Sequence, residues 1–393
     1  MIRKISAHYI FPADASPLKL GIVVINDQGD IIDLIDTRGK LHETSDLEFY
    51  NGIITPGFVN AHTHLELSHL KEKIDKQTGL INFIKTIGSL RNFDGSLAAM
   101  QKANAEMIQY GTVAAADISN TSDSFQIKSI SKIKYFTFIE IFGVQDSIAK
   151  EKLKLGIELW EKLKTLHLLG SITPHAPYSM SDSLWHMLMD YSKQQGMVWS
   201  VHNQESPGEN QLYIDKTGEF ADFMHRISDE FPNWQAKGVT SLNHCRHYYK
   251  QISKVLLVHN TFTSPGDLES INDLKDKVVF VLCPNANLYI ENHLPDIELL
   301  RNSGHRIALG TDSLASNMKL SVLEEMKTIQ RHFPKISLQE LVDWGTINGA
   351  KALGFDDCLG SLQKGKKPGL NLITNINFEE MKLTSQSEVK VLC

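Results

Sequence analysis

The sequence predicts an α/β protein: a (β/α)8 TIM-like barrel with a small β-sandwich domain formed from both termini. Three observations carry this. From about residue 56 to 350, short apolar runs alternate with longer helical patterns. Nearly every candidate strand ends in a polar, ionisable or amide residue. The two ends of the chain hold only short apolar runs broken by turn signals. At 393 residues and 42% hydrophobic content, the chain can bury a large core as one barrel with an accessory piece.

Residues 1–55 carry "HYIF", "GIVVIN" and "GDIIDLID", with Asp27-Gln28-Gly29-Asp30 as a hairpin connection. Residues 351–393 repeat that texture: "GLNLITNI" and "EVKVLC" follow the Gly-rich "LGSLQKGKKPG". Each end is too short to hold a core, so the two together are expected to build one composite domain. Between them, over 56–350, the strand candidates are "GFVNAHTH", "GTVAAADI", "KYFTFIEIFG", "LLGSITPHAPY", "GMVWSVHN", "KVLLVHNTF", "VVFVLCPN" and "RIALGTD". Helical patterns such as "SDSLWHMLMDYSKQQ" and "SLQELVDWGTINGAKAL" separate them, several opening on a Ser N-cap. Eight such repeats fit a closed barrel, whose functional residues belong at the C-terminal strand ends. A doubly wound sheet is the rival, but no Gly-x-Gly-x-x-Gly follows any strand.

Composition narrows the function. A formal net charge of -6 offers no basic surface for a phosphate backbone, so nucleic acid is not an expected partner. No run of about 20 apolar residues exists for a membrane span, and "MIRKISAHYIFPADA" lacks the apolar core of a signal peptide. Cys245, Cys283, Cys358 and Cys393 are widely spaced without a Cys-x-x-Cys pair. That pattern points to a reducing, cytoplasmic setting and argues against a thiolate zinc site, including a His/Cys/Cys deaminase centre.

The stretch "ITPGFVNAHTHLELSHL" places His62 and His64 two positions apart at a strand end, on one face of the strand. Further strand ends carry His175 in "SITPHAPY", His202 and Glu205 in "VWSVHNQES", His259 in "VLLVHNTF" and Asp312 in "RIALGTDS". Any one of these alone is most simply a hydrogen-bonded structural group. In a barrel, however, all of them converge on one pocket. His62, His64, His202 and Asp312 match three imidazoles and one carboxylate around a single divalent ion, with a position left open for water. Such an ion lowers the pKa of its water. Glu205, three residues beyond His202, suits a proton shuttle, His259 a group that steers the water, and Asp312 a second role as its hydrogen-bond acceptor.

Together "PGFVNAHTH", "HNQE", "VHN" and "LGTDSLASN" resemble the metal-dependent amidohydrolase superfamily, in its branch of purine, pterin and nucleoside deaminases and chlorohydrolases. The resemblance spans essentially the whole chain and implies the same ligands and proton-transfer groups. It also implies a small-molecule substrate, a homodimer, and zinc as the metal, with iron using the same donors. His175 stands where some members carry a bridging lysine, which implies a mononuclear site. "PHAPYSMS" resembles the sugar-holding segment of nucleoside deaminases, which gives His175 a substrate contact. Glu66 is expected at a ring-amidine edge, with an exposed loop carboxylate as the alternative, and "GLINFIKTIGSLR" is either a helical lid or ordinary helix packing. Arg91 there is a candidate anion contact, with plain surface exposure as the default. "NAHTHLELS", "GLINFIK", "PHAPYS" and "LCPNANLYI" look most like the aminofutalosine deaminases, which act on an adenine nucleoside bearing a benzoate. One departure is Asn285, in "CPNAN", at the substrate-contact position where that family reads CPRSN. Methylthioadenosine, S-adenosylhomocysteine, adenosine, guanine, pterins and chlorinated rings are the alternative substrates. His244 and His247 are read as solvent-facing or loop residues.

Overall fold

The computed structural model describes residues 2–42, 46–90 and 96–393; Arg91 lies outside them. Eight parallel strands occupy the middle of the chain. They are β1 (Phe58–Thr63), β2 (Thr112–Ser119), β3 (Lys134–Ile141), β4 (Leu169–Pro174), β5 (Trp199–Asn203), β6 (Val255–His259), β7 (Val278–Leu282) and β8 (Arg306–Leu309). Parallel ladders join β1 through β4 and β5 through β8, with register shifts between β1 and β2. Alternation along each strand sorts the core. Val279 and Val281 cluster with Val59, Ala114 and Ala308 from other strands, filling the barrel interior. Val278, Phe280 and Leu282 pack outward with the helix residues.

The ring closes at two irregular seams. Between β4 and β5, His202 N–H donates to the His175 carbonyl at 2.9 Å. Beside it, Thr173 Oγ1 donates to Ser200 O at 2.7 Å and accepts from Ser200 N at 2.8 Å, replacing the backbone ladder. Between β8 and β1, the N–H groups of Thr311 and Asp312 both donate to the His62 carbonyl, at 2.9 and 3.1 Å. Asn60 reinforces this seam, accepting from Thr311 N at 3.1 Å and donating to Thr311 Oγ1 at 2.8 Å.

Both termini build a second unit. Strands Ile2–Ile10, Leu18–Lys19, Ile22–Asn26, Ile31–Ile35, Leu47–Pro56, Leu370–Asn377 and Lys382–Val391 hydrogen-bond in one continuous mixed seven-stranded order. Leu370–Asn377 joins the two ends of the chain by pairing directly with Leu47–Pro56. Ile5, Ile10, Val23, Ile54, Leu370 and Leu372 form its core. Leu47–Pro56 passes into β1 through Gly57, where an added Cβ would come within 2.7 Å of the Pro368 carbonyl oxygen. Among the described residues no helix is long and apolar enough to cross a membrane.

A buried ion pair props up the start of the barrel. Lys128, on the helix Phe125–Ile130, lies 2.5 Å from Asp117 Oδ2, and both side chains are fully buried. The other oxygen, Asp117 Oδ1, accepts Leu65 N–H at 2.7 Å and so fixes the residue after His64. Removing one partner strands a buried charge, which ordinarily costs about 3–5 kcal/mol. Lys128→Met is therefore expected to lower the unfolding free energy from urea melts by about 3–5 kcal/mol, and Asp117→Asn in the same chain to recover part of the loss.

Candidate active site and metal centre

β1 delivers His62 and His64 to the C-terminal end of the barrel, while Thr63 between them bridges to Asp312. Their Nε2 atoms lie 3.1 Å apart. His202 Nε2, from β5, is 3.3 Å from His64 Nε2. Asp312 Oδ1, just beyond β8, is 3.3 Å from His64 Nε2 and 3.7 Å from His62 Nε2. Asp312 (φ 55°) and His259 (φ 72°) both end their strands in the left-handed region, a conformation that Asp and His tolerate better than most residues.

Burial, then the neighbouring His62, brings His64 down to about 4. Burial and the surrounding imidazoles hold His202 well below its usual value. Burial works against the Asp312 carboxylate, but His62, His64 and His259 outweigh it, so Asp312 stays ionised. Four ligands at about 2.0–2.1 Å around a tetrahedral ion sit about 3.3–3.4 Å from one another, and the His62–His64, His64–His202 and His64–Asp312 separations of 3.1, 3.3 and 3.3 Å approach that. His62, His64 and Asp312 form one group of donors close enough to share an ion, and His62, His202 and His259 an overlapping one, a nitrogen and oxygen set of the kind a divalent ion takes. His202 is oriented for it, because its Nδ1 faces the His175 carbonyl at 3.0 Å and its Nε2 is left for the metal. Ser316 donates to Asp312 Oδ2 at 2.5 Å.

Beside the cluster, buried Glu205 has Oε1 3.5 Å from His259 Nε2. Burial, reinforced by Asp312, pushes its carboxyl well above the usual carboxylate range. The Asn287 amide nitrogen donates to Thr261 Oγ1 at 2.7 Å and lies 3.3 Å from His259 Nδ1. That contact places the ring proton on Nε2, facing Glu205. Burial also depresses His259, to about 3.

A cavity of about 450 Å³ opens from this cluster, with Leu67, Phe142 and Phe223 among its apolar lining. The helix Leu80–Leu90 supplies Leu80, Phe83, Ile84 and Ile87 to its wall, in the place expected of a lid. His175 lines the cavity with Nδ1 2.9 Å from Ser179 Oγ. Two expected substrate contacts are corrected. Glu66 turns its carboxylate to the Asn120 N–H at 3.0 Å and the Thr121 N–H at 3.2 Å, capping the loop after β2 instead of lining the cavity. Burial pushes it up to about 7. Asn285 is held by Glu325 at 3.0 Å and Thr328 at 2.6 Å, and faces a separate cleft beside the terminal sheet. His244 and His247 lie on the helix Ser241–Tyr249, where His247 is exposed. Sequence reasoning passed over Glu140 and Lys152, which line the cavity, and Asn287 behind His259. The carboxylate interrupting "FIEIFG" and the second Asn of "CPNAN" were their only visible signals.

A parallel barrel whose strand ends gather three imidazoles, an ionised carboxylate and a buried acid is a hydrolase of the metal-centred type. The amidohydrolase family profile matches residues 53–391, and the chain belongs to that family, as a hydrolase acting on carbon–nitrogen bonds. It is 27% identical over 336 residues to adenosine deaminase of Helicobacter pylori, covering 82% of this chain and 79% of that one. It is 28% identical over 365 residues to aminodeoxyfutalosine deaminase of Nitratiruptor sp., covering 89% and 86%. The crystal structure of Helicobacter pylori aminofutalosine deaminase in complex with methylthio-coformycin matches with a TM-score of 0.80 at 25% identity, over 96% of this chain and 94% of that chain.

Two outcomes follow from the geometry. His202→Ala and Asp312→Ala are expected to lose bound metal by elemental analysis, whereas Glu205→Gln should keep it and lose about 10²–10⁴-fold in kcat. The second concerns Glu325, which burial pushes up to about 8. Between its ordinary value and 8, the folded chain holds a proton that the unfolded chain has released, so stability falls as pH rises through that window. Glu325→Gln should flatten the fall, and its stability advantage over wild type in urea melts should grow from pH 5 to pH 8.

Proposed function

We propose that this protein hydrolyses the 6-amino group of an adenine nucleoside of the aminofutalosine type, releasing ammonia and an inosine-type product. The carrying observation is that Glu205, 3.5 Å from His259, and Asp312, 3.3 Å from His64, line one cavity together with the imidazole cluster and a largely apolar wall. Its volume lies in the range of small-ligand pockets. His62, His64, His202 and Asp312 would hold the metal, zinc in this reading, which acidifies a water so that a nucleophile is available at neutral pH.

The chain's own groups do the rest. Glu205, proton-bearing through burial, donates to the ring nitrogen next to the amine as a hydroxide adds to the amine-bearing carbon. It then takes the proton from the added oxygen and passes it to the leaving nitrogen, so that the carbon–nitrogen bond breaks, the carbonyl forms and ammonia departs, and the proton released when the next water is acidified returns Glu205 to its starting form. His259, with its proton on Nε2, donates to the attacking oxygen. Ionised Asp312 accepts from that oxygen, in a direction fixed by Ser316.

The apolar wall accepts an uncharged extension at the sugar's 5′ end. Among the described residues the cavity lining holds one lysine or arginine, Lys152, which is half-buried and lies near the Phe142 ring. That cation supports a substrate ending in an aromatic carboxylate. The apolar wall by itself favours a thioether such as methylthioadenosine, the substrate class named for the relative in Teredinibacter turnerae.

The test is ammonia release by the metal-loaded protein from aminofutalosine, methylthioadenosine, S-adenosylhomocysteine, adenosine, guanine and a pterin. Aminofutalosine is expected to lead the panel, and Lys152→Met to raise its KM by about tenfold while leaving that of methylthioadenosine unchanged. Silence across the panel with metal bound would overturn the nucleoside reading.

A further inference from the structure

Glu140, at the end of β3, is buried and lines the cavity, yet the chemistry above gives it no task. Its Oε2 is tied down by the Asn120 amide at 3.0 Å, which also donates to the Glu140 carbonyl at 3.0 Å. Asn120 is in turn fixed through its backbone N–H by Glu66. Three successive strand ends therefore hold this one carboxylate still. Its Oε1, by contrast, accepts no hydrogen bond among the described residues, although it is buried. A buried carboxylate oxygen without a donor is costly, and sites that tolerate one normally meet the donor in a ligand.

His202 does not supply that donor. Its Nδ1 lies 3.4 Å from Glu140 Oε1, but the same atom is engaged by the His175 carbonyl at 3.0 Å. That engagement also argues against a second cation among Glu140, His175 and His202, since His202 Nδ1 has no lone pair to give. The ligand atoms of Glu140 and His175 lie within 4.8 Å of each other. One oxygen at about 2.8 Å from each fits that gap. The atom recognised must be a donor toward Glu140. A neutral adenine ring presents acceptors at its ring nitrogens, and its amine belongs at the reacting end. The remaining donors of a nucleoside are its sugar hydroxyls.

We infer that Glu140, held by Asn120 and Glu66, accepts a hydrogen bond from a ribose hydroxyl shared with His175 and so selects ribonucleosides over their deoxy counterparts. This rests on the nucleoside reading above and adds the residue that reads the sugar.

The experiment compares the metal-loaded wild type and Glu140→Gln in ammonia release from methylthioadenosine and its 2′-deoxy and 3′-deoxy analogues. For wild type, one deoxy analogue should show a KM raised about 10- to 100-fold, the range for a hydrogen bond to a charged group. Glu140→Gln should show that rise already on methylthioadenosine and no further rise on the same analogue, with kcat and metal content unchanged. If both proteins discriminate equally, or if the variant loses metal and kcat alike on all three substrates, the inference is overturned and Glu140 merely supports His202. If wild type deaminates none of them, the deamination reading fails. Calorimetric binding of purine riboside and its deoxy analogues then decides separately: loss of the hydroxyl's contribution in the variant supports the inference, and equal binding in all pairs overturns it.

Discussion

Two backbone N–H groups, those of Thr311 and Asp312, donate to the carbonyl oxygen of His62, and much of the molecule depends on that junction. It closes the barrel between β8 and β1 and, in the same stroke, sets Asp312 beside the first histidine. Gly310 makes the approach feasible, since a Cβ there would stand 2.7 Å from His62 Cβ and 2.9 Å from Cys283 Sγ. The opposite seam works in a similar way. His202 directs both its backbone N–H and its ring Nδ1 at the one carbonyl of His175. The ring is thus irregular at the places where ligands sit, because the groups that would have completed the ladder are spent on aiming side chains.

This design brings four ligand atoms together against their electrostatic preference. Burial of imidazoles is tolerable while they stay neutral, and His64 and His202 are pushed to do so. Their crowding remains unfavourable until a cation satisfies it, and the centre is therefore strained toward binding. Glu205 sits at the other extreme, a carboxyl raised by the same burial that lowers the histidines. Acid and base are driven apart in pKa by a single dry environment, which is what proton transfer between neighbours at neutral pH requires.

The gathering of these side chains was legible in the sequence. A strand's period of two fixes His62 and His64 on one face, and a barrel's strand ends must converge, so their proximity to His202 and Asp312 follows from local pattern plus topology. Contacts beyond the strand ends were not legible. Successive residues of a helix are rotated by about 100°, so Asn285 and Asn287, two apart on the helix Pro284–Ile290, point to opposite sides. Asn287 meets His259, while Asn285 meets Glu325. A motif that names the segment cannot say which asparagine faces inward. Glu66 misled for a related reason: it opens the short 3-10 helix Leu65–Leu70, and its direction is set by the N–H groups of a distant loop. The terminal sheet depends on pairing between residues more than 300 apart in sequence, Leu370 with Pro56 among them. Texture suggested that the ends belong together; register came only from the fold.

The cavity lining is uneven in polarity, and that orients an elongated guest. It includes the cluster of metal-type donors with the proton-bearing Glu205, His175 and Glu140 as acceptors or donors of single hydrogen bonds, the apolar face of the helix Leu80–Leu90, and Lys152 near Phe142. A guest with a polar ring, a hydroxylated middle and an apolar extension finds a match for each part when its ring meets the donor cluster. Reversing it would set apolar surface against the metal donors and leave the buried oxygen of Glu140 without a partner. Orientation therefore needs no single strong contact. It follows from the cost of every mismatch in the reverse pose, and that cost is high because each of these polar groups is already withdrawn from water.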